Sequence, residues 1–205
     1  MSAKIVDKEE KKEKILVAAI TLFAQKGFEK TTINDISKEA GIGKGTVYEY
    51  FQNKEEMINE SFHFFLSQMD LDHEAILAGK TSAAEKMKQI LLSFSNFVTP
   101  ETEGLMNMMF MFWGEAMREQ STKNIIFSEM KKFYGEYRNL FMNLVVMGMQ
   151  DGSFRKNINP EHIASIIIGM LDGMMVQWLL DRELIRYNEM IGSVVTLVID
   201  GIAER

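Results

Sequence analysis

The side chains of Lys44, Thr46 and Tyr48 are of the kinds that donate hydrogen bonds to phosphate oxygens and to the edges of bases. Val47 and Phe51 are four residues apart, so they lie on one face of a helix that begins near Lys44. The three donors then fall on the opposite face. This spacing predicts a short helix that presents an ammonium, a hydroxyl and a phenol to a nucleic acid.

Two further helices are predicted immediately before this one, and they can hold it in place. From about Lys8 to Lys26 apolar residues recur every three or four positions, and Gly27 is a typical helix terminator. Thr32 can cap the next helix, which Gly41 ends after about two turns. Two short helices joined by a glycine-containing turn form a helix-turn-helix, whose second helix lies in the major groove of DNA.

Residues next to this second helix also bear on DNA contact. Gly45 allows close approach of the backbone, and the carboxylate of Glu49 can accept from cytosine N4 but is repelled by phosphate. Asn53 followed by Glu56 has the pattern of a capping box at the start of a fourth helix. Lys54 then lies at the positive N-terminus of that helix, where we expect a phosphate.

This part of the chain resembles the DNA-binding domain of the TetR family of bacterial transcriptional repressors. The resemblance covers about residues 10 to 60 and is carried by the runs 27–33, 40–42, 44–51 and 53–57. It implies a three-helix DNA-binding domain in which family members contact DNA from the positions of Thr31, Thr32, Lys44, Gly45, Thr46, Tyr48, Tyr50 and Lys54. Gly43 and Glu49 depart from the family's usual residues, so no base preference is carried over from a relative.

The net charge of the chain is −6, but the charge is unevenly distributed. Residues 1–54 contain ten lysines and eight acidic residues, a net charge of +2, which leaves −8 for the remainder. Phosphate contact needs positive charge only at the docking face. The distribution is therefore compatible with DNA binding by the N-terminal part, and it predicts that the acidic remainder stays away from the duplex.

Composition indicates a soluble cytoplasmic protein. With 205 residues and 46% apolar content, the chain can bury a substantial core, and the absence of cysteine fits a reducing compartment. No apolar run reaches the roughly 18 to 20 residues that span a bilayer, and the N-terminus lacks the apolar centre of a signal peptide. We therefore expect no association with a membrane.

The rest of the chain is predicted to be helical as well. After Met57 no strand-like alternation returns, and breaks at glycine, proline and serine positions divide the segment into five or six helices. We predict an all-α fold of about nine helices. It comprises a helix-turn-helix DNA-binding domain at residues 1–54 and a helical effector-binding and dimerisation domain at residues 55–205.

The two C-terminal helices, predicted at about residues 160–180 and 187–202, are apolar on more than one face. A monomer needs only one apolar stripe on each helix, so the excess predicts a second copy packed as a four-helix interface. The segment 169–180 also resembles the dimerising helix of the TetR family. The expected partners are thus a second copy of the chain and double-stranded DNA.

Methionine is unusually frequent, with 17 residues concentrated in three segments that also contain aromatic residues. Flexible thioethers suit an adaptable apolar pocket, and they also commonly fill the core between helices. In view of the family resemblance we expect a pocket for a small apolar or amphipathic effector, lined by Met109, Trp113, Met117, Tyr134, Tyr137, Phe141, Met174 and Trp178. Glu115, Glu136 and Asp172 lie among these residues, either as counter-charges to a cationic ligand or as solvated surface acids.

The residue types and their spacing give no indication of a catalytic site. His63, His73 and His162 are scattered and lack the spacing of metal ligands. The chain shows no phosphate-binding loop, nucleophile elbow or paired carboxylates. We predict no enzyme activity, no metal and no cofactor.

The leading hypothesis is a homodimeric, ligand-responsive transcriptional repressor that binds a palindromic operator and is released by its effector. The alternative is a helical dimeric sensor or protein-interaction scaffold whose N-terminal DNA-binding domain is vestigial. Glu49 and the modest charge of +2 favour that alternative.

Overall fold

A computed structural model describes residues 3–68, 73–97, 110, 113–114, 117, 120–183 and 186–204. The described ranges contain nine α-helices, so the predicted all-α fold is confirmed. A short 3-10 turn, Phe94–Phe97, follows the sixth helix. The helices are α1 Ala3–Lys26, α2 Ile33–Glu39, α3 Lys44–Tyr50, α4 Lys54–Gln68, α5 His73–Ala78, α6 Ala83–Ser93, α7 Gln120–Asp151, α8 Pro160–Leu180 and α9 Tyr187–Ile202.

The chain divides into two compact units. The first consists of Met1–Asp70 and Glu103–Lys131, and the second of Leu71–Thr102 and Lys132–Arg205. Helices α1 to α4, which we call the head, all belong to the first unit. The predicted domain boundary after residue 54 stays a prediction.

The head is built around the apolar stripe of α1. Ile15, Ala19 and Phe23 of α1 are buried, as are Val47 of α3 and Met57 of α4. Helix α1 packs against α2 and α4, and α2 packs against α3. The two turns of the head depend on glycines in the left-handed region, Gly27 with φ 83° and Gly41 with φ 66°. These turns let the two short helices α2 and α3 follow the long helix α1 closely.

The core of the second unit lies between α6, α7, α8 and α9. Buried apolar side chains from all four helices fill it, among them Met87, Ile90, Phe141, Leu144, Val145, Ile167, Ile191 and Val198. The Asp151 carboxylate at the end of α7 accepts from the Ala83 backbone N–H at 2.8 Å, which ties that end to the start of α6. Asn159 caps α8 by accepting from the backbone N–H groups of Glu161 and His162.

Helix α8 corrects one expectation from the sequence. An 18-residue window within Pro160–Leu180 has a mean hydropathy of 1.8, so this helix is long and apolar enough to cross a bilayer by length and composition. The expectation that no segment reaches that threshold was therefore wrong. A single such helix is weak evidence for a membrane protein, because buried helices of soluble proteins meet the same criterion. Only 22% of that window is buried inside the chain.

The end of α7 is closed by a tight contact with the residues that follow it. The ring of Phe154 is fully buried and lies directly against Gly148, where it occupies the space of a β-carbon. The Phe154 N–H donates to the Gly148 carbonyl at 2.9 Å, and Phe154 also forms an isolated antiparallel bridge with Ala203. The C-terminus of α9 is thereby joined to the α7–α8 turn.

We expect Gly148→Ala to destabilise the protein by about 1–3 kcal/mol, because the new methyl group would overlap the Phe154 ring. Gly135→Ala is the matched control on the same helix, since nothing lies within 4 Å of a β-carbon there. The control should stabilise the protein by up to about 1 kcal/mol through helix propensity. Urea unfolding followed by circular dichroism measures both; equal effects of the two substitutions would contradict the packing argument.

Candidate nucleic-acid interface and effector site

Helix α3 is held from one side only. Val47 and Phe51 are buried in the head, at 0% and 1% exposure, as their spacing predicts. The opposite face is open to solvent, with Lys44 exposed and Tyr48 at 51% exposure. A helix of seven residues is too short to be stable alone, so the two buried side chains fix where the exposed ones point.

The exposed face of α3 carries the groups that the sequence predicted for DNA contact. The Lys44 Nζ lies 6.0 Å from the centroid of the Tyr48 ring, one helical turn away. Thr46 is half-buried beside them, and nothing lies within 4 Å of a β-carbon built on Gly45. Glu49 is exposed on the same helix. The surface therefore combines one cation, two hydroxyl groups and open backbone with one carboxylate.

Tyr50, at the end of α3, is half-buried, and its ring centroid lies 6.4 Å from that of Phe51. Thr32 is exposed and caps α2. Its hydroxyl oxygen accepts from the Asp35 backbone N–H at 3.1 Å, and its own hydroxyl donates to the Asp35 carboxylate at 2.8 Å. The hydrogen bonds from Thr32 lower the pKa of Asp35, and the ammonium of Lys26 adds to this effect. Thr32 therefore orders the start of α2, whatever it also contacts.

Thr31 is placed differently from the surface residue that the family resemblance implies. Its side chain is fully buried, and its hydroxyl lies 2.7 Å from the carbonyl oxygen of Gly27 and 3.2 Å from that of Leu22. In this structure Thr31 has essentially no exposed surface to offer DNA. It joins the end of α1 to the turn that enters α2.

Lys54 is also engaged inside the head. Its half-buried ammonium donates to the Phe28 carbonyl at 2.8 Å and to the Glu29 carbonyl at 3.3 Å. The same Nζ lies 4.5 Å from the centroid of the Phe28 ring. The predicted capping of α4 is present, since Asn53 Oδ1 accepts from the Glu56 N–H at 2.7 Å. The Glu56 carboxylate in turn accepts from the Gln52 N–H at 2.6 Å.

In the second unit, part of the predicted effector site forms an aromatic cluster. Tyr137 is the centre of this cluster. Its ring centroid lies 4.7 Å from Phe133, 5.6 Å from Phe94 and 5.9 Å from His73. Phe141 is fully buried and stacks on Phe94 at 6.3 Å. Burial raises the pKa of Tyr137 to about 12, and the adjacent charge of Glu136 adds to the shift.

Tyr134 connects the aromatic cluster to α8. Its hydroxyl hydrogen-bonds to the carboxylate of Asp172, which is half-buried. Burial raises the pKa of Asp172, and the hydrogen bond from Tyr134 offsets part of that shift. Tyr187 on α9 is buried close to the same carboxylate, and burial together with this charge raises the Tyr187 pKa. A carboxylate and two phenols thus lie among the helices of the second unit.

The other predicted effector residues lie elsewhere. Met174 is buried beneath a groove between α8 and α9, and the half-buried ring of Trp178 lies 4.9 Å from the guanidinium carbon of Arg182. Trp113 and Met117 belong to the first unit, where Trp113 is half-buried and Met117 is 71% exposed. Met109 and Glu115 lie outside the described residues.

Sequence reasoning did not predict that His73 and Phe94 join the ring cluster around Tyr137, or that Tyr187 lies near Asp172. The spacing of Phe133, Tyr137 and Phe141 at four-residue intervals indicated an aromatic stripe on α7. His73 and Phe94 reach it from distant positions in the chain, and no local pattern indicates such contacts. Within the described ranges, no group of three or more histidine or acidic side chains is arranged to hold a metal ion.

Two known protein families match parts of this chain. The family described as "Bacterial regulatory proteins, tetR family" matches residues 15–60, and "BetI-type transcriptional repressor, C-terminal" matches residues 83–200. The HTH-type transcriptional repressor KstR2 of Rhodococcus jostii is 24% identical over 94% of this chain and 91% of its own length. Such relatives are transcriptional regulators, in keeping with the prediction that the chain is not an enzyme.

Solved structures show the same fold. NalD, the secondary repressor of the MexAB-OprM multidrug efflux pump in Pseudomonas aeruginosa, superposes with a TM-score of 0.74 at 20% identity, over 97% of this chain and 98% of NalD. FadR from Bacillus subtilis, solved in complex with stearoyl-CoA, superposes with a TM-score of 0.69 at 23% identity, over 93% and 98% of the two chains. With a matching N-terminal family, a matching C-terminal family and the expected helix-turn-helix, this chain belongs to the TetR family of bacterial transcriptional regulators.

Proposed function

We propose that the protein is a homodimeric transcriptional repressor that binds a palindromic operator and is released by a small apolar or amphipathic effector. The observation that carries this proposal is the one-sided anchoring of α3. Val47 and Phe51 hold the helix, while Lys44, Gly45 and Tyr48 face solvent where a duplex can reach them. Together with Thr32, Thr46 and Tyr50 they form the proposed contact surface.

Dimerisation is supported by the apolar surface of α8 and α9. Ile166, Leu180 and Leu197 are 56%, 82% and 65% exposed. A groove of about 390 Å³ runs between the two helices and is lined mainly by glycine, methionine and aliphatic side chains. Nothing lies within 4 Å of β-carbons built on Gly169 and Gly173, so a second helix can approach closely there. Two copies packed through these helices would cover this surface isologously.

A dimer also accounts for operator recognition. One recognition helix of seven residues contacts too few bases to select a site alone. Two such helices, held about 34–36 Å apart by the dimer, read the two halves of a palindrome on one face of DNA.

The effector site is proposed at the aromatic cluster around Tyr137. Its rings suit an apolar ligand, and the half-buried Asp172 carboxylate with the nearby phenols of Tyr134 and Tyr187 offers polar groups to a ligand that is apolar at one end and polar at the other. The stearoyl-CoA bound to FadR is an amphipathic molecule of this kind. If effector and DNA prefer different arrangements of the dimer, each weakens binding of the other by linkage.

The alternative of a scaffold with a vestigial head rests on the exposed Glu49 carboxylate, which repels phosphate. DNA binding separates the two functions, because a vestigial head would leave a dimer that binds no duplex.

The double variant Lys44→Ala with Tyr48→Ala should lose at least about 100-fold in affinity for the duplex upstream of the chain's own gene. Each contact of this kind contributes roughly 1–3 kcal/mol, and both side chains are exposed, so the head should stay folded. Fluorescence anisotropy at fixed salt measures the affinity. Unchanged affinity would remove α3 as the contact surface, and the absence of binding by the unmodified protein would favour the scaffold.

Gly45→Ala should separate stability from recognition. Alanine is the better helix former and meets nothing within 4 Å, so we expect the head to become more stable, by up to about 1 kcal/mol. DNA affinity should nevertheless fall about tenfold or more, because the methyl group keeps the backbone away from the duplex. Gly135→Ala serves as the control, with equal or higher stability and unchanged affinity. A Gly45→Ala protein that binds DNA normally would show that the backbone does not approach DNA there.

Leu197→Glu should convert the dimer into monomers, because it places a charge on an exposed position that lines the α8–α9 groove. Sedimentation velocity measures the association state, and affinity for the operator duplex should fall about 100-fold with the loss of the second head. Leu92→Glu, at a 40% exposed leucine of α6, is the control and should remain dimeric. A dimeric Leu197→Glu protein would place the interface elsewhere.

A further inference from the structure

Two residues at positions from which TetR proteins contact DNA are turned inward in this head. The Lys54 ammonium and the Thr31 hydroxyl both bond to backbone carbonyls of the α1–α2 connection. Lys54 is the first residue of α4, and its two acceptors, Phe28 and Glu29, precede it by 26 and 25 positions. The side chain thus bridges the segment that enters α2 and the segment that leaves α3.

One acceptor of this bridge, Phe28, is tightly packed, whereas Glu29 is exposed. The Phe28 ring is buried at 1% exposure, lies 5.3 Å from the Phe23 ring and lies below the Lys54 Nζ at 4.5 Å. Contact of an ammonium with an aromatic face adds to the two hydrogen bonds. Thr31 bonds to the carbonyls of Leu22 and Gly27, near the end of α1 and at the start of the same turn. The turn that delivers Thr32 to the start of α2 is therefore held by both side chains.

Helix α3 depends on the two segments that this bridge connects. It is preceded by α2, which Thr32 caps, and it is followed within four residues by α4. Apart from Val47, all its side chains are at least partly exposed. A change in the position of α2 relative to the start of α4 would therefore displace Lys44 and Tyr48.

We infer that Lys54 and Thr31 are positioning residues that set the geometry of the recognition surface, and that the charge of Lys54 acts within the head instead of on a phosphate. This inference rests on the proposed DNA-binding function. It differs from the phosphate contact that the family resemblance implies for Lys54. The two roles have different dependences on salt. A lysine that neutralises a phosphate releases counterions and contributes about 0.9 to the slope of log K against log salt, whereas a lysine bonded to protein carbonyls contributes none.

The test compares Lys54→Met with Lys44→Met on the duplex upstream of the chain's own gene, by anisotropy at several salt concentrations and well below the melting temperature. Lys54→Met should lower affinity about tenfold or more and leave the salt slope unchanged. Lys44→Met should reduce the slope by about 0.9 for each phosphate contact that is lost. Lys54→Arg should restore affinity, because a guanidinium can donate to the same two carbonyls. A reduced slope for Lys54→Met, equal to that of Lys44→Met, would overturn the inference.

Thr31→Val provides a second variant that changes no charge. It removes both hydroxyl bonds at nearly constant volume, and we expect weaker DNA binding with an unchanged slope. Affinity equal to that of the unmodified protein would overturn the role of Thr31. Amide hydrogen exchange of the DNA-free protein gives an independent measure: Thr32 and Asp35 should exchange faster in Lys54→Met. Unchanged exchange there would count against the bridge even if the unmodified protein bound no duplex, an outcome that would by itself refute the proposed function.

Discussion

The burial of Val47 and Phe51 is the interaction on which the DNA-binding surface depends. Isolated helices of seven residues do not persist in water, because nucleation costs more than so few hydrogen bonds return. Helix α3 therefore exists only while its apolar face is packed on the head. The same packing decides which side chains remain outside. One face of α3 thus contributes to the core of the head, and the opposite face forms the proposed recognition surface.

Polar side chains in the head divide into those that face solvent and those that order the turns. The hydroxyl of Thr32 and the carboxylate of Asp35 form a reciprocal cap, while Thr31 and Lys54 satisfy backbone carbonyls around the α1–α2 turn. Backbone groups in a tight turn need partners when they are withdrawn from water. A surface that must meet DNA with fixed geometry has the same requirement, because a turn without partners would leave the recognition helix loosely placed.

The second unit combines a conventional core with two features that a simple core does not need. Helices α8 and α9 expose leucine and isoleucine side chains, with Leu180 at 82% exposure. Asp172 keeps a half-buried carboxylate beside two phenols, where partial burial raises its pKa. The first feature favours association of two copies, and the second favours a ligand with a polar end.

Local sequence patterns were sufficient for the helices, for the glycine turns at Gly27 and Gly41, for the cap at Thr32 and for the anchoring pair Val47 and Phe51. Each of these depends on residues within about one or two helical turns, whose spacing the chain itself imposes. Tertiary structure decided the direction of Lys54, because its acceptors Phe28 and Glu29 lie 26 and 25 positions away. It likewise placed His73 and Phe94 against Tyr137. Contacts between residues so far apart in the sequence depend on how whole helices pack, and a pattern of neighbouring residues does not indicate that packing.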